Sequence, residues 1–396
     1  MRRLIIILLF VAAAAHGATR RRAVQPPQGI PPSYADLYSL LSAQLDAAEA
    51  KVAPLHPELG KQPVYAAELL PANANRGPAL LQPGTMDGVR AFLDRFQQLG
   101  INGVVFNVPY PVLVDRFPSS ADYLQFFKQA VAESRKRGMT VQIESSVLFA
   151  NSPFSPVSWD YSTTPFSQFT QERHDMTAKI VAQLAPDYLD LGAEPDTEAK
   201  LTGYTQLNVP SLWSQYIAAV IRGIDRGSVR LGAGLGTWNS VAFVEAESLL
   251  PLDFVSLHIY PIDATSIATA FQAADIIRGR GKQIVIDEAW LFKMRPGEST
   301  SIAADTTVFA RDSLSFFAPL DQRYLRFLDA FARAKGVVLI SPFWSTFFFA
   351  YQRWAPGFEA LSYDQVVAQV NSIAAANVVK GQYSATGYYY SRLINP

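Results

Sequence analysis

Two glutamates close two short apolar runs of this chain. Glu194 ends Tyr188-Leu-Asp-Leu-Gly-Ala-Glu, and Glu288 ends Gln283-Ile-Val-Ile-Asp-Glu. If both runs are strands of one parallel barrel, both carboxylates emerge at its C-terminal rim, where such barrels hold their sites. Two carboxylates facing across a cleft are the equipment for cutting a glycosidic bond: one protonates the departing oxygen, and the other attacks the anomeric carbon or activates water. A gap of about 5 Å favours direct attack and net retention, whereas about 6.5–9.5 Å leaves room for water and favours inversion. At about 5 Å and an effective dielectric of about 20, the two charges repel by about 3.3 kcal/mol, which can hold one carboxyl protonated well above the ~4.3 of a free glutamate.

Other polar and aromatic groups gather at neighbouring strand ends. Residues two apart on a strand point the same way, so Phe254, Ser256, His258 and Tyr260 share one side, as do Ile284, Ile286 and Glu288, and Val338, Ile340, Pro342 and Trp344. These rows are assigned to the barrel interior, with apolar residues below and polar or aromatic ones at the top. Asn107 ends a further strand and is a candidate for the sugar hydroxyls, as is Asn239. Glu68 and Glu144 lie towards two more strand ends, where they can bind sugar hydroxyls or satisfy a buried arginine. Trp344, Trp290, Trp238 and Trp159 can stack on the apolar faces of pyranose rings or serve the core.

The elements that must position these groups can be read from periodicity. Strand-like runs fall at Val64–Leu70, Gly103–Val108, Thr140–Val147, Tyr188–Glu194, Arg230–Leu235, Phe254–Tyr260, Gln283–Glu288 and Gly336–Phe343. Helical patterns separate them at Met86–Leu99, Ala121–Arg137, Phe166–Leu184, Ser211–Asp225, Ser240–Leu249, Ser266–Arg280 and Gln322–Lys335, and Ser362–Ala375 follows the last. Eight such units match an α/β (β/α)8 TIM barrel; a doubly wound open sheet is the alternative. Gly100, Gly138, Gly227 and Gly281 fall between helix and strand, where C-capping glycines belong. Gly232-Ala-Gly-Leu-Gly236 lacks the spacing of a nucleotide loop and reads as a strand-end turn. Leu37, Leu40, Leu41, Leu45 and Ala48 form one face of an N-terminal helical extension, with Ser33 as its N-cap. Two long segments, Phe149 to Pro165 and Leu291 to Leu320, follow the third and seventh strands and fall on the rim that carries the glutamates.

The chain of 396 residues divides into a signal peptide (1–17), a linker and N-terminal helix (18–61) and the catalytic barrel (62–396). Arg2 and Arg3 precede an apolar run from Leu4 to Ala15, and Ala15-His16-Gly17 has the small-x-small spacing of a cleavage site. The expectation is a secreted or periplasmic protein, with an uncleaved anchor or a twin-arginine signal as alternatives. The apolar run is too short to span a membrane. Lys+Arg and Asp+Glu both number 34, and the mature region has no long basic run, so nothing suggests nucleic acid. There is no Cys, so no disulfide is available. The three histidines beyond the signal, His56, His174 and His258, have no spacing for a zinc site, and neither a phosphate loop nor a serine elbow is visible. No metal or organic cofactor is implied.

Taken in order, these motifs resemble the (β/α)8 retaining glycoside hydrolases of clan A. That superfamily carries its acid/base glutamate at the end of strand four and its nucleophile at the end of strand seven. Gly192-Ala-Glu-Pro195 resembles the strand-four motif, commonly Asn-Glu-Pro, and Ile286-Asp-Glu-Ala289 resembles the strand-seven motif. His258-Ile-Tyr-Pro261 resembles strand six, where His lines the sugar site and Tyr bonds the nucleophile. Trp344 resembles the strand-eight tryptophan that floors the site. The resemblance implies Glu194 as acid/base, Glu288 as nucleophile, a poly- or oligosaccharide substrate, and His258, Tyr260 and Trp344 around it; Asn107 and Trp290 are further candidates to contact that substrate. Ala193 stands where the clan has Asn, the residue that contacts the sugar 2-hydroxyl. That departure favours the alternative, a carbohydrate-binding or scaffold protein on a barrel without turnover.

Overall fold

The computed structural model describes residues 29–262, 265–298 and 307–396; the stretch expected to be a signal peptide (1–17) and the first part of the expected linker lie outside them. Eight parallel strands close into a barrel in chain order: β1 (Val64–Glu68), β2 (Gly103–Asn107), β3 (Thr140–Glu144), β4 (Tyr188–Asp190), β5 (Arg230–Gly236), β6 (Phe254–Ile259), β7 (Gln283–Ala289) and β8 (Leu339–Pro342), with β8 pairing back onto β1. This is the (β/α)8 barrel expected from the alternation of strand and helix patterns. The helices are α1 (Ala35–Val52), α2 (Thr85–Leu99), α3 (Ser120–Lys136), α4 (Phe166–Gln183), α5 (Pro195–Thr202), α6 (Pro210–Ile221), α7 (Ala242–Glu247), α8 (Ser266–Gly279), α9 (Thr307–Ala310), α10 (Ala318–Lys335), α11 (Tyr363–Lys380) and α12 (Ala385–Ile394). Among the described residues, none of these is long and apolar enough to cross a membrane.

The N-terminal extension is held from outside the barrel. Leu37, Leu41, Leu45 and Ala48 of α1 are buried, and Arg323 of α10 bridges Asp46 at 2.6 Å and Glu49 at 2.8 Å. Ser33 is not the cap: a 3-10 turn over Pro32–Tyr34 precedes α1, and no side chain caps its N-terminus. Pro31 and Pro32 start the turn early, so the helix is entered through it. At α11 the capping reading holds, because Ser362 and Gln365 form a reciprocal capping box. Gly100 ends α2 at φ 89° and returns its N–H to Phe96 and Gln97, a conformation that favours glycine.

Inside the barrel, Ala66, Val105, Tyr188, Phe254, Val285 and Leu339 form a closed apolar layer. This corrects two of the three inward rows. On β7 the inward residue is Val285, and Ile284 and Ile286 pack under the surrounding helices; on β8 Leu339 faces in and Ile340 faces out. The β6 row is as expected. The cause on β7 is a bulge. Ser256 pairs with Val285 and His258 pairs with Glu288, so β7 advances three residues while β6 advances two. The same extra residue appears against β8, between Ile286 and Ala289. A bulge breaks the alternation, and here it turns Asp287 and Glu288 inward together.

The glycine run 232–236 is the strand β5 itself, not a turn after it. A Cβ on Gly232 would lie 2.2 Å from the Phe254 ring, and one on Gly234 would lie 2.0 Å from the Ser256 carbonyl oxygen. Side chains were exchanged across this pair of strands: β5 gives up bulk so that β6 can project Phe254 and Ser256 into the interior. Gly232→Ala should therefore overpack the inner layer and destabilise the fold by about 1–3 kcal/mol, read as a lowered midpoint in thermal or urea unfolding. An unchanged midpoint would show that the layer has slack.

Candidate active site

The strand ends converge on one cavity of about 800 Å³. β1, β2 and β3 bring Glu68, Asn107 and Glu144 to it; the turns after β4 and β8 bring Glu194 and Trp344; β6 and β7 bring His258, Tyr260 and Glu288. Both long segments reach its wall, through Phe149 and Phe154 after β3 and through Phe292 and Phe309 after β7. Glu194 is aimed by two neighbours. Gly192 adopts φ 137°, and a Cβ there would strike Glu198 Oε1 at 2.5 Å. Pro195 then opens α5 with Glu194 as its N-cap, a position proline suits because it has no N–H to satisfy.

His258 is the hub. Its Nδ1 lies 2.9 Å from Glu194 Oε1 and 3.3 Å from Glu288 Oε2; its Nε2 lies 3.4 Å from Asp287 Oδ1 and 4.0 Å from Glu144 Oε1. Sharing one nitrogen keeps those two glutamate oxygens within about 6 Å of each other, so the two carboxyl groups face one another across the cleft as a glycosidase pair must. Burial alone would pull the imidazole down, yet Glu288, Asp287 and Glu194 more than offset it and hold its pKa well above the usual range. Tyr260 donates its hydroxyl to Glu288 Oε2 at 2.8 Å, and its ring stacks on Phe292 at 4.3 Å. Glu288 is pushed up to about 7 by burial; His258 and the Tyr260 hydrogen bond pull it back, and Glu194 and Asp287 add to the rise.

Below this shell the barrel is polar for one more layer. Gln142 donates to Asp287 Oδ2 at 2.9 Å. Asp190 accepts from the Ser256 hydroxyl and, at 2.6 Å, from the Gly192 N–H. Burial, reinforced by Asp287, raises Asp190 to about 8. Glu198 sits 3.7 Å from the buried Arg173 guanidinium and is raised to about 7, chiefly by burial. Glu68 and Glu144 are both raised well above the usual carboxylate range by burial, with Glu288 adding to each. Glu144, His258 and Glu288 each present a ligand atom within 4.8 Å of the others, a spacing that a small cation could bridge.

The expected site residues are brought together with one exception. Glu194, Glu288, Asn107, His258, Tyr260 and Trp344 all line the cavity, as does Trp238. Trp290 does not. It lies past the end of β7, where alternation no longer applies, and is fully buried between Phe347 at 5.4 Å and Lys293 at 5.3 Å. Trp159 stacks under Arg116 at 4.7 Å, away from the cavity. Asn239 is held by Asp196 at 2.6 Å and does not line the cavity, whereas Asp196, which also anchors Trp238 at 2.9 Å, does. Neither Glu68 nor Glu144 pairs with an arginine among the described residues. Asp287 and Asp190 escaped the sequence reading, although the paired acids of Ile286-Asp-Glu were visible in it.

No family model matches the chain, and no curated protein matches it in sequence. Solved structures match its fold. An exo-β-1,4-mannosidase from Opitutaceae bacterium strain TAV5 is similar with a TM-score of 0.53 at 17% identity, over 85% of this chain and 59% of that one. A GH5_18 protein from Bifidobacterium longum subsp. infantis is similar at 0.54 and 12% identity, over 84% and 79%. GH5_18 from Streptomyces cattleya in complex with GlcNAc is similar at 0.53 and 12% identity, over 85% and 80%. The match thus spans less than two thirds of the mannosidase. Likeness at these identities establishes the barrel; the chemistry rests on the side chains.

The buried acids make stability depend on pH. Asp190, Glu198, Glu288 and Asp312 (itself raised to about 7 by burial) have folded-state values above their unfolded ones, so the fold binds protons that the unfolded chain releases. Their stabilising share is complete below the unfolded values and fades as pH rises towards 7–8. His258, also raised, changes in the same direction. Paired surface acids such as Glu133, lowered to about 2 by Lys136 and Arg137, are already ionised throughout this window. The melting temperature should be several degrees higher at pH 5 than at pH 8. A scan across that range that rises with pH would contradict the account.

Proposed function

We propose that this protein is an exported O-glycosyl hydrolase that cleaves an oligo- or polysaccharide with net retention of configuration. The observation that carries the reading is the sharing of one histidine nitrogen by Glu194 and Glu288 at the mouth of a barrel cavity, with Tyr260 bonded to Glu288. In the first step the Glu288 carboxylate attacks the anomeric carbon while Glu194 protonates the departing oxygen, leaving a glycosyl ester on Glu288. In the second, Glu194 takes a proton from water as that water attacks the same carbon, which frees the sugar and restores both side chains. The roles follow strand order, Glu194 after β4 and Glu288 on β7. His258 supplies positive charge that favours the Glu288 anion, and Trp344 offers a face for the ring. The mannosidase and the GlcNAc-bound protein among the structural neighbours support a saccharide as substrate. Export rests on the leader-like residues 1–17.

Glu288→Ala should abolish turnover by several orders of magnitude while the circular dichroism spectrum survives. Glu194→Ala should lose about 10²–10⁴-fold on natural glycosides but far less on activated aryl glycosides, whose leaving groups need little protonation. Wild-type turnover by both variants would end the assignment.

Attack requires anionic Glu288, whose value lies at about 7. The profile of kcat/KM should therefore climb through an acid limb near pH 7. Because His258 lowers Glu288, His258→Asn should move that limb to higher pH. A limb that stays in place, or moves down, would place the titrating group elsewhere.

A further inference from the structure

Three adjacent strands end in acceptor atoms that have no hydrogen-bond partner among the described residues. Glu68 on β1 is 2% exposed; its Oε1 accepts from Asn73 at 2.6 Å, and its Oε2 has no partner. Asn107 on β2 is 5% exposed, and its Oδ1 has none. Glu144 on β3 is 4% exposed, and its carboxylate has no hydrogen bond among the described residues, its nearest cation being His258 Nε2 at 4.0 Å. Asn107 and Glu144 are direct register partners, and Glu68 lies one strand away. All three line the cavity.

We propose that this corner is an ammonium pocket, so that the sugar cleaved carries a free primary amine. The ligand class is a hexosamine, not a neutral or N-acetylated sugar; that it is a sugar at all rests on the glycosidase reading. The first argument is charge. Among the described residues the cavity is lined by seven carboxylates and one guanidinium, Arg76, which is turned to the Pro71 carbonyl oxygen and forms no ion pair. Glu198 has Arg173, Asp196 has Trp238 and Asn239, and Glu194 and Glu288 share His258. Glu68 has no counter-charge among the described residues, and Glu144 has only the far edge of His258, at 4.0 Å and shared with three other acids. A buried carboxyl without a cation keeps its proton or pays desolvation in full, and an ammonium brought between the two relieves both.

The second argument is hydrogen count. An ammonium presents three N–H donors and no acceptor, and this corner presents three acceptor groups. A sugar hydroxyl brings one hydrogen. An acetamido group brings one hydrogen and a carbonyl oxygen that would face carboxylates. The third argument is position. Glu144 and Glu288 present oxygens within 4.8 Å of each other, and Glu68 also feels Glu288. The amine therefore sits on the ring under attack, not on a distant unit. Neither Glu68 nor Glu144 has a step in the double displacement, which leaves recognition as their use.

The test is binding to the full chain, followed by tryptophan fluorescence or calorimetry, with glucosamine, galactosamine and mannosamine set against glucose, galactose, mannose and their N-acetylated forms. At least one amine should bind ten times or more tighter than its hydroxyl and acetamido counterparts. In the isosteric variants Glu144→Gln and Glu68→Gln the amine-to-neutral ratio should fall towards one. Equal or tighter binding of the neutral sugars would overturn the proposal. So would a preference that both variants retain, or a stoichiometric divalent ion whose removal by EDTA abolishes it. The outcome is separable from the glycosidase reading. Selective amine binding with no cleavage of any glycoside sinks only the enzyme, and Glu288-dependent cleavage of neutral glycosides without amine preference sinks only the pocket.

Discussion

The whole upper half of the barrel depends on one buried positive charge. His258 stands among Glu194, Glu288, Asp287 and Glu144, within 2.9–4.0 Å of all four. Two carboxylates confined to a desolvated pocket repel strongly, and an arrangement of four is not viable without a cation inside it. The imidazole is a good choice for that cation. It is compact, it donates from two opposite edges, and so one ring addresses Glu194 and Glu288 on one side and Asp287 and Glu144 on the other. Its place on β6, directly paired with Glu288 of β7, is set by backbone register, so the charge relation is built into the sheet and not left to a flexible side chain.

Register also decides what surrounds it. The extra residue in β7 turns two consecutive acids inward, which a regular strand cannot do. Asp287 then reaches His258 Nε2 while Glu288 reaches Nδ1. On the opposite arc, the glycines of β5 leave space that Phe254 and Ser256 fill. Ser256 in turn satisfies Asp190. One strand gains a residue and another loses its side chains, and together they let a polar layer exist inside a barrel whose lower layer is wholly apolar.

Much of this was legible in the sequence. The eight strands, most helices and the convergence of Glu194, Glu288, His258, Tyr260, Asn107 and Trp344 follow from alternation and strand-end position, which are local properties. What was not legible depended on pairing between strands. Period-two counting placed Ile284 and Ile286 in the interior because a bulge has no sequence signature; the glycine run looked like a turn because its reason lies in Phe254 of the next strand. Trp290 was proposed on residue type, as an aromatic able to stack on a sugar, and residue type does not distinguish the cavity wall from the core. Helices α5 and α12 were missed as too short for periodicity, although Pro195 followed by Asp196 and Glu198 has the composition of a helix start.

The polar layer argues for function by its cost. A barrel interior is ordinarily filled with branched apolar side chains, and Asp190, Gln142 and Asp287 occupy positions where such residues would pack without penalty. Ser341 Oγ and Gln142 Oε1 have no hydrogen-bond partner there among the described residues, and each buried polar atom left so costs about 1–3 kcal/mol. A scaffold under selection only to fold would shed them. Their cost is intelligible if the layer exists to fix His258 from below, since Asp287 is both the partner of its Nε2 and the acceptor for Gln142. The same reasoning weighs against a barrel that binds carbohydrate without turning it over. Holding a sugar needs acceptors at the rim, which Asn107 and Glu144 already provide, but it does not need a buried imidazolium shared by two carboxylates. That arrangement has a use when a carboxylate must form at one moment and be esterified at the next.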